Sequence, residues 1–295
     1  MAILAHFRRF GLFLRRLQQE MGYDDCMGMA AQIAFYLLLS IFPFLLFLLS
    51  LISFLPIPDL APNVLGALAD ALPPEAFQLV SGTVLTVLTE HHKNLLGIGL
   101  LIALWSGSMG IGALITTINR AYNVRPRRSM PKQKALALVM TVALSGIMLI
   151  STLIVLFGPR VTHETFQVLG LAGDSYNAWT RMRLAIAFVL DLFTLAMFYY
   201  WAPEVHQQFR WILPGAITST VLWLGASSLF RLFVRNFGHY DATYGSIAAV
   251  IILLMWLWIS GLIFLLGAEI NSLMKRVETH QVDLAADPPP DAPGR

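Results

Sequence analysis

The sequence predicts an all-α, polytopic integral membrane protein: six transmembrane helices in one bundle, accompanied by amphipathic interfacial helices. Three observations carry that expectation. Hydrophobic residues make up 57% of the 295-residue chain and charged residues 13%, against about a quarter charged in soluble domains, and the mean hydropathy is +0.68. From Cys26 to Pro58 no carboxylate or basic side chain occurs, a longer run than the ~20 apolar residues that cross the hydrocarbon core as a helix. Comparable apolar stretches recur, so that spans are expected at about 29–54, 95–119, 135–158, 184–201, 211–233 and 245–270.

Taken in order, residues 1–25 place Ile3, Phe7, Phe10, Leu14, Leu17 and Met21 at intervals of three and four, with Arg8, Arg9, Arg15 and Arg16 off that stripe. This is a basic amphipathic helix, expected on the cytoplasmic membrane surface. No apolar h-region with a cleavage site is recognisable, which argues against a cleaved signal peptide. Asp24 and Asp25 stand before the first span, where carboxylates cap free amides and favour the helix dipole; together with Glu269 they are candidate caps or coupling-ion sites. Pro43 lies inside the first span and should kink it.

Prolines 56, 58 and 62 close that span, and Pro73-Pro74-Glu75 opens a helix with Phe77, Val80, Val84, Leu85 and Leu88 on one face, expected at the outer interface. The pair His91-His92 points its rings about 100° apart and has no third ligand nearby, so it reads as a solvated loop rather than a metal site. In the second span Gly99, Ala103 and Gly107, with Ser106 and Gly110 beside them, form the small-residue ladder that lets helix backbones approach closely. The loop after it carries Arg120, Arg125, Arg127, Arg128, Lys132 and Lys134 without an acid. Such a loop belongs in the cytoplasm.

The third span is expected to end at Gly158-Pro159, followed by a short outer loop to Arg183; Asp191 interrupts the fourth, and Pro203 and Pro214 bracket a turn before the fifth. With six spans, fourteen of the twenty Lys and Arg residues fall on the side of the termini, which places both termini in the cytoplasm. The proline-rich tail, 276–295, lacks the apolar content to fold and is expected to be disordered.

The chemistry that these residues exclude is considerable. The single cysteine, Cys26, rules out an internal disulfide and a cysteine-built zinc or iron–sulfur centre in one chain. No Gly-x-x-x-x-Gly-Lys phosphate loop occurs, so ATP-driven pumping by this chain alone has no support. His6, His91, His92, His163, His206, His239 and His280 are scattered, whereas metal-dependent RNA hydrolysis needs ligands clustered around two ions. No catalytic residue, metal or cofactor is therefore assigned, the chain is read as no enzyme, and its expected partners are anionic membrane lipids rather than nucleic acid.

Two candidate sites follow. The first is a buried polar centre at Asp191, a carboxylate inside a span whose insertion costs about 2.5–3.5 kcal/mol and which should face the bundle interior; Ser106, Ser151, Ser227 and Arg231 lie at similar depths. The second is a set of anion or head-group contacts, with Arg125, Arg127 and Arg128 on the cytoplasmic side and Arg235, Tyr244, Gly245 and Ser246 on the outer side, the latter at a helix N-terminus.

One group of short motifs occurs in order around the six spans: Asp25, Ala31, Tyr36, Ser40 and Phe42-Pro43; Leu104-Trp105-Ser106 followed by Asn119-Arg120-Ala121-Tyr122; Leu213-Pro214-Gly215-Ala216; Tyr244-Gly245-Ser246; and Leu266-Gly267-Ala268-Glu269-Ile270-Asn271. Over about residues 20–275 the chain resembles the YihY family, also called virulence factor BrkB and formerly mislabelled ribonuclease BN. The resemblance implies a bacterial inner-membrane protein with six spans, connected with envelope integrity or serum resistance. Where relatives often show a Tyr-Arg-x-x-Pro-like end to the fourth span, this chain has Tyr200-Trp201-Ala202-Pro203, so no basic residue carries over there. The expected function is a transporter or flippase of an envelope lipid or other anionic amphiphile; the alternative is a non-transporting membrane organiser supporting envelope integrity.

Overall fold

The computed structural model describes residues 2–52, 62, 64–66, 81–82, 84–86, 93–124, 127–168, 174–236 and 246–279. Among them seven long helices follow one another: α1 Ala2–Tyr23, α2 Cys26–Ile52, α3 Lys93–Ala121, α4 Met130–Val168, α5 Asp174–Trp201, α6 Phe209–Asn236 and α7 Ser246–Glu278. No strand occurs among the described residues. By length and composition three stretches suffice to cross a membrane, Arg181–Trp201, Phe209–Val234 and Val250–Glu278, and Cys26–Ser40 is a shorter apolar helix. Large apolar side chains are exposed along these helices, among them Phe35, Leu101, Trp105, Val189, Leu229 and Ile251. Patches of that kind face lipid or a partner rather than water.

Several element boundaries differ from expectation for identifiable reasons. Gly158-Pro159 does not end the third helix, because α4 runs on to Val168; its 39 residues reach about 58 Å, well beyond the hydrocarbon thickness. The following connection is correspondingly short, with α5 starting at Asp174 and passing through Asp191 without interruption. Pro214 does not bracket a turn but lies inside α6, five residues from its start. Its ring removes one amide from the helix ladder, and a side chain of α7 meets the neighbouring amide, as described below. The interfacial helix expected over 73–88 lies outside the described residues except for helical pieces at 81–82 and 84–86, and so does the tail beyond Thr279.

The chain divides into two compact units: Met1–Cys26, Ile115–Leu224 and Ile263–Arg295 form the first, Met27–Leu114 and Gly225–Leu262 the second. In the first, α4 packs along α5, and the amphipathic α1 lies on the last turns of α7. Leu17, Ile270 and Leu273 are buried there, with Phe13, Met21, Leu266 and Val277 packed against them. The apolar stripe of α1 is thus divided: Leu17 and Met21 serve this seam, while Phe10 and Leu14 stay exposed. In the second unit, α2 and α7 pack closely where a Cβ on Gly261 would stand 3.3 Å from the Ala30 carbonyl oxygen. Gly110 of the small-residue ladder lies against Tyr36 and Leu37, and Trp258 Nε1 donates to the Met27 carbonyl at 3.1 Å.

Candidate functional site

The buried polar groups of the first unit gather where α1 ends, α3 ends and α7 ends. Arg16 and Glu20 of α1 and Asp24 just past its end recur every four residues and so form one row. Arg16 Nε meets Glu20 Oε1 at 3.0 Å, and Arg276 Nη2 of α7 meets Glu20 Oε2 at 3.1 Å. Glu269, two turns before Arg276 on the same face, is fully buried, and Asp24 is only 4% exposed. Carboxylate oxygens of Glu20, Asp24 and Glu269 all lie within 4.8 Å of one another. Cys26 donates its S–H to Glu269 Oε1 at 3.8 Å, which leaves Glu269 Oε2 and Asp24 Oδ2 buried without a donor. Burial is the main force on Asp24 and pushes its carboxyl above the ordinary carboxylate range; Glu20 adds to that, while the hydrogen bond to Glu269 and the charges of Arg120 and Arg276 oppose it.

Around this cluster the short motifs meet. The Gly215 amide donates to Asn271 Oδ1 at 2.7 Å, so that the amide next to Pro214 finds a partner on α7. A Cβ on Gly215 would collide with the Gly267 carbonyl oxygen, and one on Gly267 with Ser219 Oγ. Only glycine permits α6 and α7 this approach. Tyr199 donates its hydroxyl to the Phe264 carbonyl at 2.6 Å and Ser219 donates to that of Ile263 at 3.1 Å, which locks α5 and α6 onto α7. At the end of α3, Asn123 takes a left-handed φ of 56°, and the Val124 amide returns to the Asn119 carbonyl at 2.9 Å, a glycine-like helix stop. Asn119 Oδ1 accepts the Glu204 amide at 2.8 Å. Burial pushes the hydroxyl of the neighbouring Tyr122 up.

The predicted site residues are distributed as follows. Asp24 and Glu269 come together; Asp25 is exposed and takes a left-handed φ of 50° between α1 and α2. Asp24 faces Glu20 and Glu269. Asp191 requires a correction, since it is exposed and is not the buried centre. The inward row of α5 runs through Arg183, Ala187, Leu190 and Thr194, and Asp191 falls on the edge beside it. Ser151 is buried and donates to the Ala187 carbonyl at 3.4 Å. Ser106 donates to the Ile102 carbonyl of its own helix at 2.9 Å, Ser227 is half-buried, and Arg231 is exposed.

Of the head-group candidates, Arg127 is exposed, but its amide and that of Arg128 both donate to Glu204 Oε2, at 2.7 and 3.0 Å. The Arg128 guanidinium donates to the Ala202 carbonyl at 3.1 Å. An internal carboxylate therefore occupies the amides that an anion would seek. Arg125, Tyr244 and Gly245 lie outside the described residues; Arg235 and Ser246 are helical positions whose side chains lie outside the description.

The residue that sequence reasoning missed is Glu20, with its partners Arg16 and Arg276. Its signal was available in the four-residue spacing of Arg16, Glu20 and Asp24. That row borders the apolar stripe on the side of α1 that packs on α7, and the stripe alone was read.

With this geometry in hand, comparison with known proteins is decisive about kinship. The family described as virulence factor BrkB matches residues 17–291. The chain belongs to the BrkB family. A Bacillus subtilis (strain 168) member named as a ribonuclease-like protein, YfkH, is 31% identical over 90% of this chain and 95% of its own length. A UPF0761 membrane protein of Psychromonas ingrahamii is 26% identical over 92% of this chain and 89% of its own, and one of Coxiella burnetii is 25% identical over 93% and 97%. No solved structure matches. Two of these relatives are named membrane proteins, and this chain has helices long and apolar enough to cross a membrane; among the described residues, the acidic cluster of Glu20, Asp24 and Glu269 consists of carboxylates alone.

Proposed function

We propose that this BrkB-family chain crosses the bacterial inner membrane six times with both termini in the cytoplasm, and that it acts as a transporter or flippase of an envelope lipid or other anionic amphiphile rather than as an enzyme. The observation that carries the reading is the pair of buried carboxylates, Asp24 and Glu269, each with an oxygen lacking a donor. They stand beside an apolar seam between α1 and α7 that Leu17, Ile270 and Leu273 fill. Ionisable groups kept at such a cost in membrane proteins mark ion and substrate pathways. The distribution of Lys and Arg supports the orientation.

The test is reconstitution into liposomes carrying a fluorescently labelled phosphatidylglycerol, with leaflet exchange followed by chemical quenching. Exchange faster than in protein-free vesicles, and largely lost in Glu269→Gln, is the expected result; equal rates with and without protein overturn it. One observation favours the second reading, a non-transporting organiser of the envelope. Exposed Asp191 on α5 is a polar group that a second membrane protein would satisfy, and cross-linking at that position in intact cells would reveal such a partner.

A further inference from the structure

Of the three carboxyl groups at the end of α1, one has ion-pair partners in contact and two do not. Glu20 is held by two guanidinium groups, Arg16 at 3.0 Å and Arg276 at 3.1 Å. Asp24 and Glu269 remain, 4% and 0% exposed, each with an oxygen that no donor reaches. Two carboxylates are acceptors only, and oxygens of these side chains lie within 4.8 Å of one another, so a direct hydrogen bond between them needs a proton on one of them. Ser272, one turn beyond Glu269 and one turn before Arg276 on α7, is 1% exposed and its Oγ also has no partner.

Glu20 takes up both guanidinium groups in contact with the cluster, which leaves Asp24 and Glu269 facing each other with only the more distant charge of the exposed Arg120 to offset them. A single proton relieves that repulsion, whereas a divalent metal would bring its charge against the two guanidinium groups. The remaining charged and titratable groups around the pair are Arg120 from α3, Tyr122 just past it, Cys26 from the start of α2 and the exposed Asp25.

We propose that Asp24 and Glu269 bind one exchangeable proton between them, and that this proton fastens the end of α1 and the start of α2 to α7. When it leaves, two buried carboxylates face each other and α1 loses its hold. Like charges at this separation cannot both stay ionised in a dry site. Asp24 lies outside the membrane-spanning segments, and its carboxyl is raised by burial. The docking contribution is therefore complete at low pH and is lost as pH rises through the folded-state value. The proton is read from the seam itself; only its use as the coupling ion rests on the transport reading above. No measurement below involves transport, so the two can fail separately.

The full chain in lipid nanodiscs provides the test. Infrared spectra at neutral pH should contain the C=O stretch of a buried protonated carboxyl group, which Asp24→Asn and Glu269→Gln each remove. Hydrogen exchange of the α1 amides, corrected for intrinsic rates, should accelerate about tenfold for each pH unit above the value at which the pair releases its proton. Asp24→Asn keeps a hydrogen bond without titration and should flatten that dependence. Adding sodium or magnesium at constant pH should change neither readout. The proposal is overturned if wild type lacks the carboxyl band, if the band survives both substitutions, if α1 exchange in Asp24→Asn follows pH as in wild type, or if a metal salt protects α1 while abolishing the band. Should Asp24→Asn fail to fold, Glu269→Gln and the wild-type spectrum still decide.

Discussion

Glu269 on α7 and Asp191 on α5 are both carboxylates set among apolar residues, yet one is wholly buried and the other exposed. The difference lies in what the neighbouring positions pack against. Around Glu269, α7 is pressed against α6 through glycines on both helices and against α1 through Leu17 and Leu273, so any side chain on that face loses solvent. Around Asp191, the inward row of α5 passes one position to the side. A carboxylate in an apolar run thus reports that something polar is tolerated, and the packing of the facing helix determines which of two very different environments it occupies.

The comparison breaks most completely if the tight approach to α7 is removed. Gly267→Leu places a side chain against Ser219 and Tyr199, and overpacking in a close-packed interior costs typically 1–3 kcal/mol, more where backbone cannot shift. The expected result is little or no monodisperse protein in detergent. A Gly267→Leu variant that melts like wild type would mean that α7 is not seated this way, and the burial of Glu269 would lose its explanation.

Next in size is the ion pair beside the carboxylate pair. Glu20→Gln leaves Arg16 and Arg276, both in the seam, without their counter-charge. Removing one partner of a buried ion pair costs about 3–5 kcal/mol, and here the loss should appear as a lowered melting temperature together with faster proteolysis of α1. A smaller effect, about 1–3 kcal/mol for a buried donor left unsatisfied, is expected of Asn271→Ala, which strips the Gly215 amide of its acceptor. If Asn271→Ala were neutral, Pro214 would be accommodated by other means.

These contacts also show what could be read from the chain alone. The all-helical membrane architecture was legible because apolar runs of sufficient length are a local property, and the family resemblance was legible because its motifs are short and ordered. Their meeting was not. Gly215 and Asn271 are 56 positions apart, and nothing in Leu-Pro-Gly-Ala or Leu-Gly-Ala-Glu-Ile-Asn states that one supplies the acceptor for the other. Asp24 and Glu269 were named in one group of candidate caps or coupling-ion sites, but not as neighbours, because their encounter depends on how α1 folds back onto α7. The prolines misled for a related reason: Pro159 and Pro214 are strong local stop signals, yet α4 and α6 continue through them, as membrane helices do where neighbours can satisfy the freed carbonyl. Asp191 misled because depth along a helix is readable from sequence while the direction it faces is not.

The smallest expected effect on stability, and the sharpest use of the comparison, concerns Asp191 itself. Because its side chain is exposed, Asp191→Asn and Asp191→Leu should both leave the melting temperature of the isolated chain nearly unchanged, within the ~0.5 kcal/mol typical of surface substitutions. Glu269→Gln and Glu269→Leu should differ from each other, since Gln can still bond to Asp24 and Leu cannot. In a bilayer the Asp191 pair should separate in another way: an outward carboxylate in hydrocarbon costs about 2.5–3.5 kcal/mol unless something covers it, so Leu should insert more readily than Asp when expressed alone. If a partner normally covers Asp191, the same Leu substitution should reduce its co-purification while Asn, which retains hydrogen bonding, keeps more of it. A strong loss of thermal stability in Asp191→Leu would show instead that the carboxylate is engaged within the chain, and the contrast with Glu269 would collapse.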